Sequence, residues 1–418
     1  MKKLLLATAA TALVAGAASA QEVKLGIQLG FTGPLESTVP DMAKGAELAV
    51  KEVNDSGKFA LGAISTVNGD STCVDAAAAT AAAERLVTAD GVSAIVGGDC
   101  SGVTGAVLQN VARPNGIGMI SPSATSPALS TAEDDGLFFR TAPSDARQGE
   151  IMADILSGKG IKSVAVSYTN NDYGKGLADS FAAAFAAKGG SVTISAPHED
   201  GKADYSAEVA SLAAAGGELL VVAGYVDQGG KGVIQGSLDS GAFSSFYLVD
   251  GMYGESLIEA IGEPLNGSFG AVPGTDSEGA AKYEELATAA GFDGSNAFSK
   301  ESYDAAALIM LSMAAANSTA SKDWSTKVKT RDLNDWLQMA ITRHPPPAVG
   351  GRRVKPKYMA QTKARPPTFV LFASRADQLP DSYKRYLEGR FREHFKLVGT
   401  PMRIEFKSGH NPFTDGAS

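Results

Sequence analysis

Ser101 stands in Gly97-Gly-Asp-Cys-Ser-Gly102, directly after an apolar run, where its chemistry is that of an anion holder. A hydroxyl beside the free backbone N–H groups of a helix start offers converging donors, and the helix dipole adds a positive end. Ser121-Pro-Ser123-Ala124-Thr125 brings more hydroxyls to the end of the next apolar run, so a carboxylate fits between the two loops. Asp250, closing the run Phe246–Val249, is the complementary group, a charged acceptor for an ammonium. Tyr173, Tyr225 and Phe298 are candidate aromatic walls for a ligand's side chain. Each of these residues also has a plain structural use, in capping, an Asp-Gly turn or core packing. Only the set carries weight.

Enzymatic motifs are missing. A P-loop needs G-x-x-x-x-G-K-[ST], and Gly224-Tyr-Val-Asp-Gln-Gly-Gly-Lys231-Gly232 has the wrong spacing and ends in glycine. There is no G-x-S-x-G elbow and no H-E-x-x-H. His198 is the only histidine before residue 323, reads as a solvated loop residue, and leaves a Ser-His-Asp triad without its base. No catalysis, metal or cofactor is expected.

The elements that must position these residues alternate in type. Val23–Leu29, Ser93–Val96 and Ile117–Ile120 read as strands, with helices at Asp41–Ser56, from Asp75 to Leu86 and at Val103–Val111. The pattern restarts near Thr141–Asp145, where Asp145 caps a helix. Strands Ser163–Val166, Ser191–Ser195, Glu218–Ala223 and Phe246–Val249 follow, with helices at Tyr173–Lys188, through Gln235 and near Ser256–Ile261, a return strand at Ser268–Val272, then helices at Ser277–Ala290 and Ser299–Ala316. Short apolar strands between amphipathic helices imply parallel sheets covered on both faces, here in two lobes. In such sheets ligands bind beyond the carboxyl ends of the strands, which is where the loops above lie.

Composition agrees with a soluble, multi-domain chain. Its 418 residues are 44% hydrophobic and 20% charged, which excludes global disorder, and its 47 glycines show no collagen-like period. Lys2 and Lys3, the apolar Leu4–Ala17 and the Ala18-Ser-Ala20 cleavage site form a secretory signal over residues 1–20. The mature chain is therefore expected in the periplasm. Cys73 and Cys100, the only cysteines, are either paired or two buried thiols; their polar turns and an oxidising compartment favour pairing.

Three stretches, Gly97-Gly-Asp-Cys-Ser101, Met119-Ile-Ser-Pro-Ser-Ala-Thr125-Ser-Pro127 and Asn171-Asp-Tyr-Gly-Lys-Gly-Leu177, resemble the periplasmic leucine/isoleucine/valine-binding proteins of branched-chain amino-acid ABC transporters. The resemblance runs from about Gln21 to Asn317. It implies an α/β protein in which two Rossmann-like lobes close on an amino acid delivered to an inner-membrane ABC permease, acting as a monomer. By position, it gives Ser101, Ser123 and Thr125, with Ala124 between them, to the α-carboxylate. Asp250 takes the ammonium, Tyr173, Tyr225 and Phe298 line the cleft, and Cys73 pairs with Cys100. Glu36-Ser-Thr38 stands where some members place a tryptophan, so the side-chain pocket is expected to differ.

From Asp323 the composition changes: 18 Lys and Arg face 9 Asp and Glu, and half of the 18 prolines fall here, in a chain whose net charge is -9. Arg331–Thr342 and Ser382–Phe395 read as helices, Arg352–Met359, Thr368–Ala373 and Pro401–Phe406 as strands. His344-Pro-Pro-Pro-Ala-Val349, Tyr358-Met-Ala-Gln-Thr-Lys-Ala-Arg-Pro-Pro-Thr-Phe369 and Asn411-Pro-Phe413 look like the C-terminal KH-like domain of the ribosome-assembly GTPase Der (EngA). That resemblance implies contact with RNA or the large ribosomal subunit, and a cytoplasmic home for this module alone. It lacks the G-x-x-G loop of RNA-clamping KH domains, and Der's GTPase domains have no counterpart here. The chain thus reads as a chimera: lobe 1 over 21–143 and 271–322, lobe 2 over 144–270, and a KH-like domain over 323–418, joined near Ser321–Lys329. The first half looks truncated, which leaves lobe 2 without its closing segment and Ser163–Val166 poorly protected.

Overall fold

The computed structural model describes residues 22–274, 277–324, 330–349, 352–363, 368–395 and 402–408. The expected signal segment lies outside them. Two five-stranded parallel sheets and one small mixed sheet hold most of the described strands.

Lobe 1 opens with β1 (Val23–Leu29), α1 (Val39–Ser56), β2 (Ile64–Asp70), α2 (Ala76–Thr88), β3 (Ala94–Gly97) and α3 (Ser101–Val107). A π-helical turn and α4 (Arg113–Asn115) then lead to β4 (Gly118–Ser121) and β5 (Phe138–Arg140). The strand order is β2-β1-β3-β4-β5. Central β3 is apolar and wholly buried, as a strand covered on both faces must be. β2 escapes the sequence pattern because it is an edge strand with polar residues and a half-covered face. Asp75 does cap α2, accepting from the amides of Ala77 and Ala78.

Lobe 2 contains α5 (Asp145–Gly158), β6 (Ser163–Thr169), α6 (Asp172–Ala187), β7 (Ser191–His198), α7 (Ser206–Ala215), β8 (Leu219–Ala223), α8 (Gly229–Ser240), β9 (Phe246–Leu248), α9 (Glu255–Ile261) and β10 (Phe269–Gly270). Its order is β10-β9-β8-β6-β7. Ser144, not Asp145, caps α5: the Ser144 hydroxyl accepts from the Ala146 amide, which leaves Asp145 as the first helical residue with its side chain turned inward. β6 is paired on both sides and largely buried, so its packing does not support early exchange at Ser163–Val166.

The chain then returns to lobe 1 through α10 (Glu278–Ala290), α11 (Ser299–Ala316) and α12 (Ser321–Trp324). α11 lies so close to α1 that position 45 admits only glycine, because a Cβ there would sit 2.3 Å from the Ser299 carbonyl oxygen. The lobe 1 core continues past the expected boundary at residue 322. Trp324 is buried in the same apolar cluster as Val23 and Ile120, its ring lies against Gly118, and the Ser321 hydroxyl donates to the Ser93 carbonyl at 3.0 Å.

The tail is α13 (Thr330–Arg343), a two-residue ribbon of β11 (Ala348–Val349) and β12 (Arg352–Arg353), β13 (Lys355–Lys363), β14 (Thr368–Ser374), α14 (Asp381–His394) and β15 (Arg403–Ser408). β14 pairs antiparallel with β13 and parallel with β15. Its core is its own: among the described residues, Trp336, Phe369, Leu387 and Phe391 belong to one cluster with no member from either lobe.

Trp324→Ala is therefore expected to cost lobe 1 about 3 kcal/mol through a core cavity while leaving the tail unaffected. Hydrogen exchange checks it: faster exchange at β3 and β4 with β14 unchanged is the expected result.

Candidate functional site

Five strand ends, of β3 and β4 in one lobe and of β6, β8 and β9 in the other, bring the site together. Gly97 ends β3 at φ +137°, where any Cβ would collide with the Gln28 carbonyl oxygen at 2.1 Å. The chain can thus turn sharply into the loop that carries Asp99, Cys100 and Ser101. Asp99 is fully buried, accepting from the Gly30 amide at 2.8 Å and the Ser71 hydroxyl at 2.7 Å. Burial raises its carboxyl above the usual range, and those donors oppose the rise. Cys73 and Cys100 are joined by a disulfide that ties this loop to the one following β2.

The loop after β4 meets it. The Ser101 hydroxyl accepts from the Ser126 amide at 3.1 Å, which leaves its own proton available, whereas the Ser123 hydroxyl donates to the Asp99 carbonyl at 3.0 Å. Ser123 lines the cavity but its donor is engaged. Ala124 is fully buried: its amide donates to the Ser121 hydroxyl at 2.9 Å and its carbonyl accepts from Arg140 at 3.0 Å. Thr125 is also wholly buried, and its hydroxyl has no partner among the described residues.

Lobe 2 supplies the opposite wall. Asn171 caps α6 by accepting from the amides of Tyr173 and Gly174 at 3.1 and 3.0 Å, which fixes Tyr173 in the first turn. Tyr173 and Tyr225 stack with centroids 5.3 Å apart. The Tyr173 hydroxyl donates to Asp250 at 2.8 Å, and the Gln148 amide donates to the same oxygen at 2.8 Å. Burial pushes the Asp250 carboxyl up, and these two donors pull it back.

Between the lobes lies a narrow cavity of about 30 Å³, walled in part by Ser101, Ser123, Tyr173, Tyr225, Asp250 and Phe298. Six of the eight expected ligand residues thus converge; Ala124 and Thr125 sit behind the wall. Thr38, from the first-loop stretch expected at the side-chain pocket, lines the cavity, whereas the sequence reading missed Leu35 and Met42 and, beside Asp250, Tyr253. It also missed Asp145 and Gln148, whose spacing of three on one helix was the available signal. Phe298 heads α11 at φ +63°, a left-handed conformation unusual for a bulky residue and held here by packing. His198 is not solvated. It ends β7 buried, with Nδ1 2.8 Å from the Ser167 hydroxyl, and burial brings its pKa down to about 4.

The lobes are drawn together at the rim by Asp227, which accepts from the Ser37 amide at 2.9 Å and the Ser256 hydroxyl at 2.7 Å. Its own amide donates to the Pro34 carbonyl at 3.2 Å.

Two parallel-sheet lobes, crossed by the chain more than once and closed over a polar and aromatic cavity, define a two-lobed solute-binding fold. The model of the family described as periplasmic binding protein matches residues 22–365, and the chain belongs to that family. Among similar structures is the branched-chain amino acid transporter substrate-binding protein LivJ from Streptococcus pneumoniae in complex with isoleucine. It is 26% identical with a TM-score of 0.64, over 73% of this chain and 87% of that one. The leucine-binding protein LivK from Thermotoga maritima (23% identity, TM-score 0.65, 72% and 86% covered) shares the fold. So does a solute-binding protein from R. palustris in complex with 4-hydroxybenzoate (18%, 0.63, 72% and 83%).

The tail matches the KH-domain-like C-terminal region of EngA bacterial GTPase enzymes over residues 327–407. It is 56% identical over 92 residues to GTPase Der from Hyphomonas neptunium, covering 22% of this chain and 18% of that protein. Der from Rhodopseudomonas palustris is 56% identical over 90 residues (22% and 20%). The chain spans about a fifth of the length of these curated relatives. The two family matches overlap at 327–365, where packing decides: Leu333, Trp336 and Met359 lie in the tail's core.

Asp227→Ala removes the rim contacts made by its side chain. Ligand affinity is expected to fall roughly tenfold while the melting temperature of the empty protein changes little, because the bond to the Ser37 amide across the lobes exists only in the closed form. Calorimetric binding together with thermal unfolding checks both halves.

Proposed function

We propose that this chain is an exported solute-binding protein that takes a small aliphatic amino acid between its lobes and presents it to an inner-membrane ABC permease, without catalysing a reaction. The observation that carries the reading is a set of buried acceptors lacking donors on the lobe 2 side of the cleft. Asp250 has only two neutral side-chain donors, and Asp145 and the Gln148 carbonyl oxygen have none among the described residues. A group with several N–H donors and a positive charge completes that set, and an ammonium is one. On the other wall the Ser101 hydroxyl retains a proton for a carboxylate. Tyr173, Tyr225 and Phe298 offer aromatic walls to the side chain. Likeness to LivJ with isoleucine supports an aliphatic amino acid; an aromatic acid such as hydroxybenzoate brings no cation to Asp250.

A thermal-shift screen tests this. A ligand at 100 times its Kd stabilises the protein by about 2.7 kcal/mol, so one or more aliphatic amino acids raise the melting temperature and 4-hydroxybenzoate does not. No shift with any amino acid overturns the reading.

Asp250→Asn is expected to weaken binding roughly 100-fold, by removing the charge opposite the ammonium. Tyr225→Phe is expected to cost less than about fivefold, since the Tyr225 hydroxyl only accepts one long bond, 3.3 Å from the Asn171 amide. Equal losses in calorimetry exclude Asp250 as the ammonium acceptor.

The tail supports a second reading for itself alone. Trp336, Arg343, Tyr386, Arg390 and His394 line a shallow cleft between α13 and α14, a mix of cationic and aromatic groups suited to single-stranded RNA. Salt-dependent binding to an RNA oligomer tests it; affinity unchanged by Tyr386→Ala and Arg390→Ala excludes this cleft.

A further inference from the structure

Asp145 is a deeply buried ionisable side chain whose protonation the proposed binding mode leaves open. It is 0% exposed, and neither of its carboxyl oxygens has a hydrogen-bond partner among the described residues. Asp250, 4% exposed, lies close enough for the two carboxyls to act on each other electrostatically. Gln148, one turn along α5 from Asp145, donates its single oriented N–H to Asp250 and not to Asp145.

The charged and polar neighbours come from every element around the pair. Arg140, ending β5, is the nearest cation, but its guanidinium donates to the carbonyls of Ala124 and Ser126 and to the Ser130 hydroxyl. It acts on Asp145 through space only. The Thr125 hydroxyl, from the loop after β4, is near enough to favour the charged form slightly. Tyr173 on α6, with Tyr225 and Tyr247 beyond it, stays protonated because burial and the neighbouring carboxylates oppose its ionisation. None of these places a full positive charge in contact with the pair.

Two carboxylates buried together with no cation in contact resist ionising together near neutrality, and one proton is then shared between them. We propose that in the empty protein Asp145 and Asp250 together hold one proton, and that the ligand's ammonium replaces it, sending that proton to solvent. The empty pair carries one proton and a single negative charge; the occupied pair carries no proton and two negative charges facing one –NH3+. No bond other than O–H breaks. Burial first, and then the charge of Asp250, push Asp145 up to about 8, which sets where the exchange stops. Below that pH each ligand bound releases about one proton, and above it none. This inference rests on the amino-acid reading given above.

The experiment is calorimetry of the full chain with the amino acid that gives the largest thermal shift, in phosphate and in Tris, from pH 6 to pH 9. Binding heats that differ between buffers by about one proton at pH 6.5, and agree at pH 9, are expected. So is an affinity that rises about tenfold per pH unit between pH 6 and 7.5 and then levels off. Asp145→Asn flattens that slope and abolishes the buffer dependence, which a merely structural role would not do. A clear binding heat identical in both buffers at pH 6.5 overturns the inference while leaving the amino-acid reading intact. Carbon-13 carboxyl NMR of the ligand-free protein provides a readout independent of any ligand or variant. One Asp carboxyl of the pair protonated at pH 6.5 supports the proposal, and both ionised at that pH overturns it even if no amino acid binds.

Discussion

Taking a carboxyl group out of water costs several kcal/mol unless hydrogen bonds or a cation replace the lost solvation, and Asp250 is buried with neither a cation nor a full set of donors. Much of the cleft follows from that constraint. Tyr173 must stand in the first turn of α6 to reach Asp250, so Asn171 has to cap that helix. Gln148 must face the same oxygen, so α5 begins with Asp145 turned inward and Ser144 takes over the capping. Tyr225 stacks on Tyr173 and holds its ring in place. Such an arrangement is poorly satisfied when empty, which is the thermodynamic condition for tight binding of a cationic group: the ligand removes a penalty as well as adding a contact.

The opposite lobe answers with neutral groups. Ser101 and the Gly97–Gly102 loop offer hydroxyl and amide donors, and the carboxylate of Asp99, which also lines the cleft, is engaged by the Gly30 amide and the Ser71 hydroxyl. Cys73–Cys100 fastens that loop to its neighbour. The two walls therefore differ in polarity, and a zwitterion of the kind proposed would be oriented by the lobes themselves. Asp227 at the rim accepts from the Ser37 amide of lobe 1, a bond that exists only when the lobes meet, so it biases closure without touching the interior.

Much of this is legible in the chain. Apolar runs such as Leu219–Ala223 and capping residues such as Asp75 are local signals, and they mark most strands and helices near their observed ends. β2 and α7 are not legible: β2 is half exposed and polar, and α7 is apolar on nearly every side, so neither carries a clean period. In the site, Ser101, Tyr173, Tyr225, Asp250 and Phe298 stand out because strand ends and motifs point to them. Asp145 reads as a cap because Ser144 and Asp145 are both good capping types, and only the backbone decides which one turns in. His198 misleads for a related reason: a polar residue after a strand looks solvated until Gly224 and Gly229 are seen to leave room for its ring.

The tail obeys a separate logic. Its core closes around Trp336, Phe369 and Phe391, with ring centroids 4.8 and 4.5 Å apart, and among the described residues it takes nothing from the lobes. Lobe 1 ends just as definitely, with Trp324 filling the space left by Gly118. Between α12 and α13 the chain has only residues 325–329 in which to pass from one core to the other. Because neither core shares a side chain with the other, substitutions in the two should add without coupling. Residues 327–365, which both family models match, illustrate the consequence. Likeness in sequence assigns them twice, but a side chain can be buried in only one place, and Leu333 and Trp336 are buried in the cluster that holds Met359 and Phe391.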